Sequence, residues 1–237
     1  MGIEGINETK ITAAKKQSRL MLGLVAVIAV GTLFYVASTT EIGSQYLTPN
    51  SVIASVNGTD ITQREFNDSF SKAMIIYESE GVDFNDKNVL LEYREKFLDE
   101  MISNLLLLQA SEKNNISATE YEIIKEYNDL VTMLNGKEEF AAYIEANKLT
   151  EQEIKENISD QIKIQKYLVD VTDIEEVKPE EDEILSTYEK VVSSVEDAPP
   201  LDKVRGLIES ELIRQKVVSI VAEHVESLRK EATIKKM

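Results

Sequence analysis

The chain has 237 residues, 43% of them apolar, with no cysteine, no tryptophan, only 9 glycines and 4 prolines, and a net charge of −17. Without cysteine there is no disulfide, thiolate metal site or thiol nucleophile, and so acidic a chain repels phosphate, which argues against nucleic acid as a partner. Few breakers and abundant Glu, Lys, Leu and Ile favour long helices over a turn-rich sheet protein.

The first element is an apolar run. Up to Arg19 the acids Glu4 and Glu8 and the bases Lys10, Lys15, Lys16 and Arg19 leave a small positive charge, so the remainder is more acidic than the whole. Leu20 to Ser38 carries no charge, and at ~1.5 Å per residue it reaches about 28 Å, close to the hydrocarbon thickness of a bilayer. Lys15, Lys16 and Arg19 before the run place residues 1–19 in the cytoplasm and the C-terminal body outside it. The expectation is a single-pass cell-membrane protein anchored through residues 20–38, with the lipid bilayer as one partner. A cleaved signal peptide is the alternative. Its usual apolar core of about 7–15 residues is shorter than this run.

Residues 39–51 read as a linker. In Val52-Ile-Ala-Ser-Val-Asn-Gly-Thr-Asp-Ile61, two β-favouring runs flank Asn57-Gly58, the signal of a tight hairpin. Thr62-Gln-Arg-Glu65 is a capping box that opens a helix bearing Phe66, Phe70, Ala73, Met74 and Tyr77. A polar loop follows, then a helix from about 88 to 114. There Leu90, Phe97, Leu98, Met101, Ile102, Leu105 and Leu108 recur at three and four, and Leu106 and Leu107 widen the stripe. Such breadth predicts a central helix covered from more than one side. Ser117-Ala-Thr-Glu120 and Thr150-Glu-Gln-Glu153 predict two further helix starts, and Asn135-Gly136 a glycine C-cap. A short helix over 138–147 carries Phe140, Ala141 and Ile144, and the one after Thr150 carries Ile154, Ile158, Ile162 and Leu168. Lys178-Pro-Glu-Glu-Asp-Glu183 predicts a helix with proline in its first turn. After a break at 193–200, a last helix is expected over 201–232, and Thr233-Ile-Lys-Lys236 as a short strand.

Val56-Asn-Gly-Thr-Asp-Ile-Thr-Gln-Arg-Glu-Phe66 resembles the opening signature of the SurA/PrsA-like extracytoplasmic chaperones: a strand, the Val-Asn-Gly turn, Ile-Thr, and a helix with Glu-Phe. Lys178-Pro179-Glu-Glu-Asp-Glu-Ile184 resembles the family's junction, and the closing Ala232-Thr-Ile-Lys235 its returning strand. The resemblance runs from about 50 to 237. It implies a mostly α fold: a SurA-N-like helical chaperone domain over 52–237, with a small sheet made by the hairpin and the C-terminal strand. Members usually carry a parvulin-type prolyl isomerase domain between the junction and the last helix. Here residues 182–200 stand in its place, and after Gly136 the chain has one glycine, Gly206, and one histidine, His224. The resemblance therefore implies the chaperone part without the isomerase part.

His224 is the one side chain suited to proton transfer near neutral pH, but no Ser, Asp or Cys motif frames it, and a structural role is the plainer reading. The acidic clusters at 138–139, 175–176 and 180–183 lack the alternating ligands and glycine of a calcium loop and read as helix starts and solvated faces. No nucleotide loop, metal set or triad appears, so neither catalytic residue nor cofactor is expected. The soft and aromatic side chains Met74, Tyr77, Tyr127, Met133 and Phe140 are candidates for lining an apolar client groove, against the simpler reading that they fill the core. The expected function is passive binding of unfolded or newly exported polypeptides. An adaptor or scaffold for one exported partner, or a divergent peptidyl-prolyl isomerase, are the alternatives.

Overall fold

The computed structural model describes residues 50–147, 149–194 and 199–237. The expected anchor at 20–38 and the segment before it lie outside them. Among the described residues no helix is long and apolar enough to cross a membrane. The hairpin forms as its sequence demands. Strands β1 (Val52–Val56) and β2 (Thr59–Thr62) are antiparallel with Val56 opposite Thr59. Asn57 and Gly58 between them take φ of 53° and 87°, the positive pair of a type I′ turn.

The turn is also a clasp. The Asn57 Nδ2 donates to Gln109 Oε1 at 2.9 Å, and Gln109 Nε2 donates to the Val56 carbonyl at 3.1 Å and to Thr59 Oγ1 at 3.0 Å. On its other side Asn57 exchanges two bonds with Thr233, N–H to carbonyl and Thr233 N–H to Oδ1, each 2.9 Å. Strand β3 (Ile234–Lys236) then pairs antiparallel with β1, Ile234 opposite Val56 and Lys236 opposite Ala54, giving the order β2-β1-β3. The tail strand was expected to include Ala232 and Thr233. It starts at Ile234 because the turn uses both backbone groups of Thr233, while Ala232 packs on the apolar cluster.

Among the described residues seven helices follow the hairpin: α1 (Gln63–Ser79), α2 (Lys87–Lys113), α3 (Glu120–Met133), α4 (Lys137–Ala146), α5 (Glu151–Val171), α6 (Glu181–Ser194) and α7 (Leu201–Glu231), with a 3-10 turn at Ile174–Glu176. The Thr62–Glu65 capping box opens α1, the Thr62 N–H donating to Glu65 Oε2 at 2.7 Å. Thr150 and Glu153 close the same reciprocal pair before α5. At α3 the box is two residues later than expected. Thr119 and Glu122 form it, not Ser117 and Glu120, and the Ser117 carbonyl instead accepts from Lys166 Nζ at 2.9 Å. Pro179 likewise stands before α6 rather than in its first turn, because the Glu180 N–H donates to Glu183 Oε2 and so occupies the cap.

Helices α1, α2 and α3 end alike. Gly81, Asn115 and Asn135 take φ of 94°, 57° and 64°. The next two N–H groups past each helix cap turn back onto its last carbonyls, as in Gly81 to Glu78 and Val82 to Tyr77. The left-handed residue at the end of α3 is thus Asn135, not the glycine expected there, and Gly136 serves as the N-cap of α4.

The described residues form two compact units, one of residues up to Tyr167 together with Val225–Met237 and one of Leu168–His224. In the first, β1, β2, α1 and α2 share a core of Ile53, Val56, Ile61, Phe66, Phe70, Phe97 and Ile102, on which Leu228 and Ile234 also pack. Buried positions on α2 include Phe97, Ile102, Leu106, Leu107 and Ala110. At ~100° per residue these spread over more than half the helix circumference, so the central helix is covered broadly, as its stripe foretold. Arg229 holds the end of α7 to α2, donating to the Asp99 carbonyl at 2.8 Å and to Ser103 Oγ at 2.9 Å. A separate cluster joins α3, α4 and α5 through Phe140, Ile154, Ile158 and Ile162.

In the second unit Leu168, Ile174, Ile184, Ile208, Val217 and Val221 are buried. Arg205 pairs with Glu181 (Nη1 to Oε2, 2.9 Å), and Lys216 with Glu183 at 2.7 Å. Gly206 sits inside α7, and a Cβ added there would meet nothing within 4 Å. Gly206→Ala should therefore stabilise this unit by about 1 kcal/mol, through helix propensity alone. A rise in the urea midpoint at unchanged slope would show it, and a fall would mean that the glycine has a packing role.

Candidate client-binding surface

The five candidate groove residues do not converge on one groove. Met74 and Tyr77 lie half-buried on α1 against the hairpin core. Tyr77 meets Tyr93 edge-on at 4.9 Å and Phe84 at 6.3 Å, and its hydroxyl stands 3.4 Å from Glu100. Burial, reinforced by the Glu100 carboxylate, pushes the Tyr77 phenol up to about 12. Tyr127 on α3 and Phe140 on α4 belong to the other cluster, with ring centroids 5.1 Å apart and nearly perpendicular. Phe140 is only 4% exposed and Tyr127 half-buried, while Met133 is 68% exposed.

Two exposed apolar side chains of α3 escaped the sequence reading. Tyr121 is 77% exposed and Ile124 46%, and residues three apart are neighbours on a helix surface. Met133 lies on the other flank of the same helix, because Ile123, Tyr127, Leu130 and Leu134 between them face the cluster. The available signal was the width of the α3 pattern: it has more apolar positions than one buried stripe uses. Exposed apolar side chains flanking a packed stripe are what a protein offers to an apolar partner.

The N-terminus of α3 is tied to α5. Lys166 Nζ donates to Glu122 Oε2 at 2.7 Å, and the Thr119 N–H and hydroxyl donate to the same oxygen. The Lys166 ammonium, and next the Thr119 N–H, hold the Glu122 carboxyl down to about 2. A depressed carboxyl favours the folded state fully above its ordinary value of 4.5 and loses that contribution as pH falls through about 2. Glu122→Gln should flatten that part of the acid limb. The effect should be about 1 kcal/mol or less, since both side chains are a third exposed and screened by water. Urea midpoints measured from neutral pH down to about 2 would test this, and an unchanged acid limb would refute it.

In the other unit, an open groove of about 510 Å³ lies at the Lys178 junction, lined by Asp173, Val177, Lys216 and Ile220 among others. Lys216 there is already engaged by Glu183 and by the Lys178 carbonyl. His224 is half-buried on α7, and burial pushes its imidazole down, toward the neutral form. Among the described residues no group of three or more His, Asp or Glu side chains is placed to hold a metal ion.

Fold and surface define a mostly helical protein with a small three-stranded sheet, clasped by its own distant segments and bearing exposed apolar side chains beside a packed stripe. Residues 10–168 match the family described as SurA-like N-terminal domain, and the chain belongs to that family. It is 26% identical over 161 residues to a protein named Foldase protein PrsA from Clostridium botulinum (strain Okra / Type B1), covering 63% of this chain and 47% of the relative. To the Foldase protein PrsA of Caldanaerobacter subterraneus subsp. tengcongensis it is 28% identical over 153 residues, covering 61% of this chain and 44% of the relative. The chain thus spans about half the length of the curated relatives it matches.

Proposed function

We propose that this chain is a membrane-anchored extracytoplasmic chaperone that holds unfolded or newly exported polypeptides without catalysing a reaction on them. The observation that carries this reading is membership of the SurA-like N-terminal domain family over 10–168. The foldase names of the relatives agree with it. In this reading residues 20–38 anchor the chain in the cell membrane with residues 1–19 in the cytoplasm, and 52–237 serve as the chaperone domain outside. The exposed Met133, on the flank of the helix whose Tyr127 packs on Phe140, offers apolar contact to a client, and the half-buried Met74 and Tyr77 lie at the edge of a second such area. Soft and aromatic side chains adapt to varied sequences, which suits broad binding. The acidic surface keeps the loaded protein in solution.

The decisive experiment adds the purified full-length chain to a chemically unfolded reporter protein and follows aggregation by light scattering. Suppression of several unrelated reporters is expected. Suppression of none would refute the holding function, and tight binding of a single exported protein would replace it with an adaptor. A prolyl-peptide exchange assay on the same preparation should stay at background. Protease added to spheroplasts should digest the body, and full protection would overturn the topology.

A further inference from the structure

Among the described residues, Arg94 on α2 has no carboxylate as counterion. Its Cζ lies 4.6 Å from the centre of the Phe66 ring and 5.5 Å from that of Phe70. The two rings are nearly parallel, 14° between planes and 5.5 Å between centres. The guanidinium therefore rests on an aromatic platform made by two residues four apart on α1. Such stacking holds a guanidinium by one face and leaves its N–H edge directed elsewhere. Among the described residues that edge meets no hydrogen-bond acceptor and no carboxylate.

The chain carries 43 acidic residues, and the three arginines of α7, Arg205, Arg214 and Arg229, each find one. Arg64 pairs with none among the described residues, but it is exposed and, unlike Arg94, is not drawn out of water. Arg94 is half-buried, and burial alone pulls its guanidinium below its ordinary value, with no neighbouring acid to offset it. A charge taken partly out of water and left unpaired is costly unless something completes it. One turn earlier on the same helix face, at i−3, Leu91 is 65% exposed. A donor fork thus stands beside an accessible apolar side chain.

We propose that Arg94, held on the Phe66–Phe70 platform beside Leu91, is a recognition position for the free C-terminal carboxylate of an apolar polypeptide segment. The inference rests on the chaperone reading for its class of ligand and adds a chemical preference to it. A planar fork matches a carboxylate with two parallel charge-assisted bonds, which an amide carbonyl cannot accept. Leu91 supplies the apolar contact beside it. The site explains how a strongly acidic protein would retain affinity for a carboxylate: the attraction is local, and at physiological salt charges more than about 8 Å away are screened.

The test uses the full-length chain labelled with 15N-arginine. Arg94→Lys identifies the Arg94 Nε–H signal by its disappearance. The probe is acetyl-Leu-Phe with a free C-terminal carboxylate, compared with the same dipeptide ending in an amide. The carboxylate form should shift the Arg94 signal saturably and bind about tenfold more tightly than the amide. Equal shifts from both forms, or no shift from either, would overturn the inference and leave Arg94 as a packing residue on its rings. The aggregation assay reports separately. Suppression of aggregation without a carboxylate-dependent shift would retain the chaperone reading and discard this site. A shift without suppression would retain the site as a carboxylate site and discard the chaperone reading. Wild-type protein supplies the binding data, so the result does not depend on whether a variant folds.

Discussion

A chain lacking residues 232–237 should melt about 10 °C below the full-length protein in the transition of the unit that contains the hairpin. The deletion removes the β3 ladder to Ala54 and Val56, the Thr233 bonds to Asn57, the Met237 N–H bond to the Ile53 carbonyl, and the Lys236 pair with Asp99. It also takes Ala232 and Ile234 from the apolar cluster. Each backbone bond contributes about 1 kcal/mol net, so the loss is about 4 kcal/mol. In a unit of this size, 1 kcal/mol moves the midpoint by roughly 2–4 °C. The hairpin that remains would be two-stranded with a bare β1 edge, marginal in water and prone to association. Differential scanning calorimetry checks the shift. A melting curve unmoved by the truncation would mean that β3 contributes nothing to the fold.

Phe97→Ala should cost about 3–5 kcal/mol, near the top of the range for core truncations. Phe97 is 1% exposed and is the point where α1 and α2 interlock. Its ring meets Phe66 edge-on at 5.8 Å and Phe70 tilted at 5.5 Å. Removing it opens a cavity between two rings that cannot collapse freely, because Arg94 lies over them. Phe97→Leu, which keeps much of the volume, should lose far less. Urea denaturation of both variants gives the comparison. A loss below about 1 kcal/mol for the alanine would mean that the aromatic cluster is not the keystone of this core.

Local chemistry made much of this fold legible. The Asn57-Gly58 turn, the Thr62–Glu65 box and the Thr150–Glu153 box each draw on residues within four positions, and each formed as read. Near the Ser117 start two boxes overlapped, and the sequence could not weigh the long-range bond from Lys166 that engages the Ser117 carbonyl. The pairing of β1 with β3 joins residues far apart, so it was legible only through family resemblance. The division into two units left no trace in composition. Both of its boundaries fall inside continuous helices, α5 and α7, where the apolar period runs on without a break. Among the groove candidates, Phe140 and Met133 looked alike in sequence. What separated them was whether a neighbouring helix lies over the position, and periodicity alone cannot report that.

The bond between Asn57 and Thr233 links residues 176 positions apart. A ribosome makes Thr233 long after it has made Asn57, so β1 and β2 must wait, with one flank unsatisfied, until almost the whole remaining chain has been delivered. Closing so long a loop is entropically slow unless the intervening helices have already shortened it. The third strand is therefore the last piece that the sheet can receive. A chain stalled before residue 233 would itself present an open strand edge, and would need the kind of protection against association that its completed form is proposed to give to others.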